Sequence, residues 1–263
     1  MMKEVDFDTY MERIDSRRSR SISIDYLREL HRRHVLSIPF EALDVYFKKP
    51  IHLDIKSIYE KVVNRNRGGY CYELNYLFYA LLTHLGFHCY PVSSRIYNEE
   101  ILGPDFDHMS IVVEMDDVWL VDVGYGDLFL EPLKLFSTSI QEDRFKNYKI
   151  EGAAEDLYLL TESFKDNSSF IKKYLIDIKP RKIDEFLEQN IVKQNDKGSY
   201  FVKNRICTVA TPEGRKTIFN NVYKVSAGDL KKEILIENEN QLHAILKREF
   251  NIEVEINGTG YRT

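Results

Sequence analysis

One cysteine of this chain lies where a glycine-rich turn leads into an apolar helical pattern. The turn and the start of the pattern occupy residues 67–75, with the sequence RGGYCYELN. Apolar residues then recur at helical spacing: Leu74, Leu77, Phe78, Leu81 and Leu82. This spacing predicts a helix with Cys71 in its first turn. Gly68 and Gly69 allow a sharp turn and leave the approach to the sulfur open.

A cysteine in the first turn of a helix is a candidate nucleophile. The unpaired N–H groups there carry partial positive charge, which favours the thiolate over the thiol. A single cysteine is more often a buried structural residue. The two glycines before Cys71 and the helix start after them favour a nucleophile instead.

A nucleophile of this kind needs a base, and the base needs a group that orients it. Residues 107–115 predict a strand that opens with His108, and residues 118–126 predict a second strand after a two-aspartate turn. Asp122 interrupts this apolar strand, and a carboxylate there is costly unless it is paired. A tight hairpin would bring it to His108, and with Cys71 the two would form a catalytic triad. Taken singly, the histidine could be a surface residue and the aspartate a turn or capping residue.

Composition limits the classes of protein that this chain can be. The 263 residues carry a formal net charge of −5 and no basic block of the kind that binds nucleic acid. No apolar run is long enough to span a membrane, and the first residues are charged rather than an apolar signal core. The three cysteines, Cys71, Cys89 and Cys207, are few and scattered, which is typical of a reduced cytoplasmic protein. His31 and His34 have metal-like spacing but no partner pair, so no metal site is expected.

The order of helical and strand patterns predicts an α+β protein in three parts. Residues 1–86 read as helices, with Ser23 and Asp54 as N-caps. Residues 87–190 contain many short strands at close spacing, which suggest an antiparallel barrel or sandwich. Residues 191–263 combine helices and strands into a small α/β unit.

Three finer predictions concern the second half of the chain. Apolar residues fall on one face of a helix predicted over residues 181–192: Ile183, Phe186, Leu187 and Ile191. The sequence Thr-Pro-Glu-Gly at 211–214 predicts a hairpin turn. The alternation of apolar and acidic residues over 252–256 predicts a closing strand.

The motifs described above resemble those of the arylamine N-acetyltransferases. The cysteine segment 67–75, His108 and the aspartate segment 121–126 (VDVGYG) occur in the order and spacing of that family. The earlier segment 27–41, which ends in Ile-Pro-Phe-Glu, is similar to the family's N-terminal pattern. The resemblance covers most of residues 20–130. It implies an N-terminal helical bundle, an antiparallel β-barrel and a C-terminal α/β lid, with a Cys-His-Asp core like that of cysteine proteases.

The resemblance also implies a two-step acetyl transfer. Cys71 would take the acetyl group from acetyl-CoA, releasing coenzyme A. An arylamine or hydrazine nitrogen would then attack the acetyl-cysteine, while His108, held by Asp122, handles the proton. The co-substrate is acetyl-CoA, and no metal is needed.

An acceptor pocket is implied beside the sulfur. Tyr125 would line it, Ile96 would lie across from Tyr125, and Phe40 would face the same space. The nucleophile, the base and the acceptor ring would then meet at one point.

Further residues are expected to support the site by the same resemblance: Glu41, Arg67, Gly124 and Gly126. Glu41 would pair with Arg67 and hold the loop before Cys71 in one geometry. The chain departs from the family at Ala42, where asparagine is usual, and at Asp196-Lys197, where Ser-Pro is usual.

Two other functions are compatible with these residue types. A cysteine peptidase, a transglutaminase-like enzyme or an amide synthase would use the same triad. A binding module could keep the fold without turnover, although an intact triad favours an enzyme. Release of coenzyme A on mixing with acetyl-CoA alone would separate acetyl transfer from both alternatives.

Overall fold

The computed structural model describes residues 5–165, 169–228 and 230–254. Its α-helices in chain order are α1 (Phe7–Arg13), α2 (Ile24–Ser37), α3 (Leu43–Tyr46), α4 (Ile55–Tyr59), α5 (Cys71–Leu85), α6 (Leu187–Asn195), α7 (Tyr200–Lys203) and α8 (Glu239–Phe250). A π-helical turn (Glu60–Asn64) continues α4, and a 3-10 turn (Ile183–Phe186) leads into α6.

The strands of the described ranges are β1 (Phe40–Glu41), β2 (His88–Asn98), β3 (Ile101–Leu102), β4 (His108–Glu114), β5 (Val118–Val121), β6 (Leu133–Lys134), β7 (Gln141–Glu142), β8 (Lys146–Ala154), β9 (Leu157–Phe164), β10 (Ile171–Asp177), β11 (Ile206–Thr211), β12 (Gly214–Phe219), β13 (Val222–Ala227) and β14 (Leu230–Leu235). The predicted α+β class is therefore confirmed.

The predicted starts of two early helices are also confirmed. The Ser23 hydroxyl and the Asp54 carboxylate each accept a hydrogen bond from a backbone N–H three residues later. Each bond satisfies one of the N–H groups that a helix leaves unpaired at its start. Helix α2 stops at Ser37, two residues before Pro39, because the ring disfavours helical backbone in the residue before it.

Helix α5 lies between the other helices and the first sheet. It packs against β2 and β4 through its apolar residues. It ends at Leu85, and its C-cap Gly86 has a φ of 97°, a left-handed conformation that glycine adopts without steric cost.

The first sheet is nearly closed into the predicted antiparallel barrel. Its strand order is β6-β5-β4-β2-β10-β9-β8-β7, with β3 beside β2. Its interior is filled by apolar side chains, including Val92, Leu160 and Ile176. The predicted hairpin is confirmed, since Ile111 of β4 pairs with Val121 of β5.

The second sheet joins a short strand from the first part of the chain to four strands from the last part. Its order is β1-β11-β12-β13-β14, and Phe40 of β1 pairs with Thr208 of β11. The hairpin turn at 211–214 is confirmed, because Thr211 pairs with Gly214. Apolar residues of α8 pack with the inner residues of this sheet in a second core: Leu242, Ile245, Leu246 and Phe250.

The predicted inner face of the helix at 181–192 is partly wrong. Leu187 is 42% exposed and Ile191 is 60% exposed, while Phe186 is fully buried. The tighter 3-10 turn that precedes α6 changes the rotation of the helix, so Asn190 and Lys193 face inward instead.

The predicted closing strand is wrong where it can be checked. Residues 252–254 follow the left-handed C-cap Asn251 without forming a strand, and 255–256 lie outside the described residues. The Ile252 N–H donates to the Leu246 carbonyl, so its side chain and that of Val254 pack into the core that α8 covers. The alternating pattern thus reflects burial of Ile252 and Val254 in the core between α8 and the second sheet, without strand pairing by residues 252–254.

The division at residues 86 and 190 stays a prediction. Strand β1 of the first part pairs with β11 of the third, so the parts share a sheet. Among the described residues, no helix is both long and apolar enough to cross a membrane.

Candidate active site

Cys71 is the first residue of α5, and 3% of its surface is exposed. The Glu73 carboxylate accepts a hydrogen bond of 3.1 Å from the backbone N–H at the N-cap, which fixes the entry to the helix. A Cβ on Gly68 would overlap the carbonyl oxygen of Pro39, and one on Gly69 would lie 2.9 Å from the Cβ of Glu73. Close packing therefore requires both glycines in this turn.

His108 and Asp122 meet at the open end of the hairpin. His108 is the first residue of β4, and Asp122 directly follows β5. The Nε2 atom of His108 lies 2.7 Å from Oδ2 of Asp122, and the two residues are 1% and 2% exposed. The pair is thus shielded from water, which strengthens its electrostatic attraction.

The structure brings Cys71 to the same imidazole. The Cys71 side chain lies close enough to His108 for the two groups to interact, and this interaction favours the protonated ring. Because Nε2 is bound to Asp122, Nδ1 is the nitrogen left for the sulfur. Burial opposes protonation of the ring, but Asp122 and Cys71 together raise the pKa of His108 to about 10. The ring is therefore an imidazolium at neutral pH.

The Asp122 carboxylate has donors on both oxygens. Oδ1 accepts from Nδ2 of Asn75 at 2.9 Å and from the Gly124 N–H at 3.0 Å. Oδ2 accepts from His108 and from the Tyr174 hydroxyl at 3.0 Å. Burial alone would raise the pKa of Asp122, but His108, Asn75 and the Gly124 N–H lower it below its usual value. The carboxylate therefore stays charged.

Asn75 connects the nucleophile's helix to both strands of the hairpin. Besides Asp122, its Nδ2 donates to the Met109 carbonyl at 2.6 Å, and its Oδ1 accepts from the Val123 N–H at 2.9 Å. Asn75 lies one helical turn after Cys71, so these bonds hold the sulfur against the base. Asn75 lies in the predicted cysteine segment, but its role depends on contacts with the distant aspartate segment and was not predicted from the sequence.

The loop before Cys71 is held by more charges than the predicted pair. The group consists of three carboxylates and two cations: Glu41, Asp44, Glu73, Lys61 and Arg67. Nη2 of Arg67 lies 2.7 Å from Glu41 and 2.9 Å from Asp44. Lys61 contacts Asp44 and Glu73, both at 2.9 Å. Burial raises the pKa of Glu73 to about 7, against the opposing effect of Lys61.

The three predicted pocket residues belong to two different cores. Tyr125 is half-buried, and its ring stands edge-on to the His108 ring at 5.4 Å. Ile96 packs against the same barrel core as Tyr125, whereas Phe40 belongs to the core around α5. Gly126 has a φ of 105°, and a Cβ there would lie 3.2 Å from the Phe40 ring. A cavity of about 20 Å³ touches Phe40 and Gly126, which is room for a water molecule but not for an aromatic ring.

The histidines with metal-like spacing are engaged elsewhere. Nδ1 of His31 bonds to the Leu130 carbonyl at 2.9 Å, and Nδ1 of His34 bonds to the Tyr10 hydroxyl at 2.7 Å. In the part of the chain that the structure describes, no group of three or more His, Cys, Asp or Glu residues is placed to hold a metal ion.

The arrangement as a whole suits nucleophilic acyl chemistry. A sulfur at a helix start interacts with an imidazolium, and the imidazolium is hydrogen-bonded to a buried carboxylate. Such a series lets the sulfur attack a carbonyl carbon, and the ring then moves the proton.

Comparison with known proteins places the chain in a family. The family model described as N-acetyltransferase matches residues 23–259. The arylamine N-acetyltransferase of Escherichia coli is 28% identical over 251 residues, which cover 94% of this chain and 88% of that protein. Human arylamine N-acetyltransferase 1 is 27% identical over 282 residues, and 95% of each chain is covered. The Salmonella typhimurium enzyme has a solved structure that superposes with a TM-score of 0.87 at 25% identity, covering 97% of this chain and 94% of that one. The chain therefore belongs to the arylamine N-acetyltransferase family.

Proposed function

We propose that Cys71 of this chain carries an acetyl group from acetyl-CoA to the nitrogen of an arylamine or hydrazine. The observation that carries the proposal is the almost fully buried series in which Cys71, at the start of a helix, interacts with His108, and His108 is hydrogen-bonded to Asp122. Membership of the family supports the choice of donor and acceptor.

In the first step, the Cys71 thiolate attacks the thioester carbonyl of acetyl-CoA. A bond forms between this sulfur and the carbonyl carbon, and the bond from that carbon to the sulfur of coenzyme A breaks. The leaving thiolate takes a proton from the His108 imidazolium. The raised pKa of His108 keeps the ring charged beforehand, so the ring can supply that proton.

In the second step, the amine nitrogen attacks the acetyl-cysteine. Acetylation has removed the charge on the sulfur, which is one of the two groups that raise the pKa of His108. The neutral ring can then accept the proton from the amine as the carbon–sulfur bond breaks. An aromatic amine suits this step because its nitrogen is uncharged at neutral pH.

Burial of the site protects the intermediate from water. Cys71 and His108 are 3% and 1% exposed, so a bulk water molecule has little access to the acetyl group. Tyr125, Ile96 and Phe40 are the residues that we propose to contact the aromatic ring, with Tyr125 beside the base. The cavity of about 20 Å³ at Phe40 would have to widen when the acceptor binds.

The supporting residues would act by holding the triad. The Glu41–Arg67 pair fixes the loop before the sulfur, and Gly124 and Gly126 let the aspartate segment approach α5 and Phe40 closely. The three cysteines are all free, which fits the reducing conditions of the cytoplasm, the location that we propose.

The test is to mix the protein with acetyl-CoA alone. We expect a burst of coenzyme A equal to the amount of protein, together with an intact mass increased by one acetyl group. Cys71→Ala should show neither, and Cys89→Ala, which alters a half-buried cysteine outside the triad, should show both. Turnover of an arylamine by Cys71→Ala would refute the covalent route. Absence of any burst from the unmodified protein would favour a peptidase, an amide synthase or a binding module.

A further inference from the structure

His31 is buried beneath the triad and uses both of its ring nitrogens there. It lies on α2, is 0% exposed, and contacts residues about ninety positions later in the chain. Nδ1 is 2.9 Å from the Leu130 carbonyl oxygen, and Nε2 is 3.3 Å from the backbone nitrogen of Asp122.

These two partners define the tautomer of the ring. A backbone N–H donates, so Nε2 must accept from Asp122 and carries no proton. A carbonyl accepts, so Nδ1 must donate to Leu130. Burial lowers the pKa of His31 below its usual value, although Leu130 and Asp122 act in the other direction. The neutral ring is therefore the form that fits the site.

The backbone N–H of Asp122 needs a hydrogen-bond acceptor outside the sheet, because Asp122 lies beyond the end of β5. Val121 is the last residue of β5 that pairs with β4, so the next N–H is beyond the ladder. It donates instead to His31. The carboxylate of Asp122 is held by other side chains, and His31 holds the main chain from which that carboxylate projects.

His31 also closes the loop that carries the pocket residue Tyr125. Its two nitrogens contact the first and last residues of segment 122–130, so one ring spans the ends of that loop. The ring itself is stacked on Phe129 at 5.6 Å and stands edge-on to Phe78 at 6.3 Å. Such packing leaves the imidazole one orientation.

We propose that His31 is a positioning residue for the acetyl transfer. By binding the backbone of Asp122 and the carbonyl of Leu130, it sets the carboxylate at the distance that His108 requires. It also fixes the loop on which Tyr125 meets the acceptor. The inference rests on the proposed function, since its readout is the acetylation of Cys71.

The test compares three substitutions that remove different contacts. In His31→Gln, the side-chain oxygen of the glutamine reaches about as far as Nε2 of the histidine and can accept a hydrogen bond from the Asp122 N–H. The shorter His31→Asn can still donate to Leu130 but cannot reach Asp122. His31→Leu does neither. The measurement is the rate of the coenzyme A burst at saturating acetyl-CoA, on samples shown to be folded at the assay temperature.

We expect His31→Asn and His31→Leu to acetylate roughly tenfold or more slowly, since misplacement of a catalytic group by about 1 Å costs about a hundredfold. His31→Gln should remain within roughly threefold of the unmodified protein. The matched control is His34→Gln, because His34 is equally buried on the same helix but bonds to Tyr10 rather than to the site. It should lose stability without losing acetylation rate.

Equal rates in all three His31 variants would overturn the proposal, and so would an equal loss in His34→Gln. If the variants do not fold, the ring nitrogens of the unmodified protein can be observed by ¹⁵N NMR. A neutral His31 with its proton on Nδ1 supports the proposal, and a proton on Nε2 overturns it. No burst from the unmodified protein refutes the proposed function instead, so the two failures are distinguishable.

Discussion

Gly124→Ala should separate the triad without altering any of its members. A Cβ at this position would lie 2.9 Å from both Cα and the carbonyl oxygen of Cys71, and 2.7 Å from Nδ2 of Asn75. Carbon contacts are favourable at about 3.5 Å, so the segment must retreat by roughly 0.6 Å. The Cys71 atoms belong to a helix backbone and cannot rotate away. The aspartate segment must therefore move, and Asp122 moves with it.

The expected costs follow from that displacement. Overpacking of a well-packed site destabilises a protein by about 1–3 kcal/mol, which denaturant unfolding would detect. Because misplacement by about 1 Å costs about a hundredfold in rate, a shift of roughly 0.6 Å predicts at least a tenfold slower coenzyme A burst. The burst would be followed by stopped flow on protein that is still folded.

Gly152→Ala is the matched control for this substitution. No heavy atom of the described residues lies within 4 Å of a Cβ at position 152, and the residue is exposed on β8. It should leave the burst unchanged and alter stability by less than about 1 kcal/mol. Wild-type stability and wild-type burst rate in Gly124→Ala would refute the close contact between the aspartate segment and Cys71.

Three further predictions concern charge at the site. Asp122→Asn should keep the fold but slow acetylation by about 10³- to 10⁴-fold, since an amide leaves the base in the wrong tautomer; a mild effect would make Asp122 structural. At about pH 6, iodoacetamide should label Cys71 far faster than Cys89 or Cys207, because burial raises the pKa of Cys89 to about 11 and also raises the pKa of Cys207. Equal labelling of the three cysteines in mass spectrometry would contradict an activated thiolate. The pKa of His108 is about 10 when folded and about 6.5 when unfolded, so the stability that its charge contributes is complete below pH 6.5 and is lost as the pH rises to 10. The melting temperature of the unmodified protein should therefore fall more between pH 6.5 and pH 10 than that of His108→Gln. An equal fall in both proteins would show that His108 does not cause the pH dependence.

Local patterns in the sequence were sufficient for much of the fold. The apolar spacing after Cys71, the caps at Ser23 and Asp54, and the hairpin ending at Asp122 each depend on residues near one another in the chain. These residue types favour hydrogen bonds across a helix turn or a two-residue turn through local contacts, so such elements can be predicted from the sequence alone. The order and spacing of the motifs likewise identified the family.

The surroundings of those motifs depended on contacts between distant parts of the chain. Tyr174 reaches Asp122 across 52 positions, and His31 reaches it across 91. Periodicity indicates that such residues are buried but not what they meet. The exposure of Leu187 and Ile191 was missed for the same reason, because the rotation of α6 depends on the turn before it.

The sequence by itself therefore determined which groups could react and on which elements they lie. Only the tertiary structure decided what holds them in place. A hydrogen bond to Asp122 needs a partner at about 3 Å. That distance is set by the folding together of segments that lie far apart in the chain, and no local preference determines it.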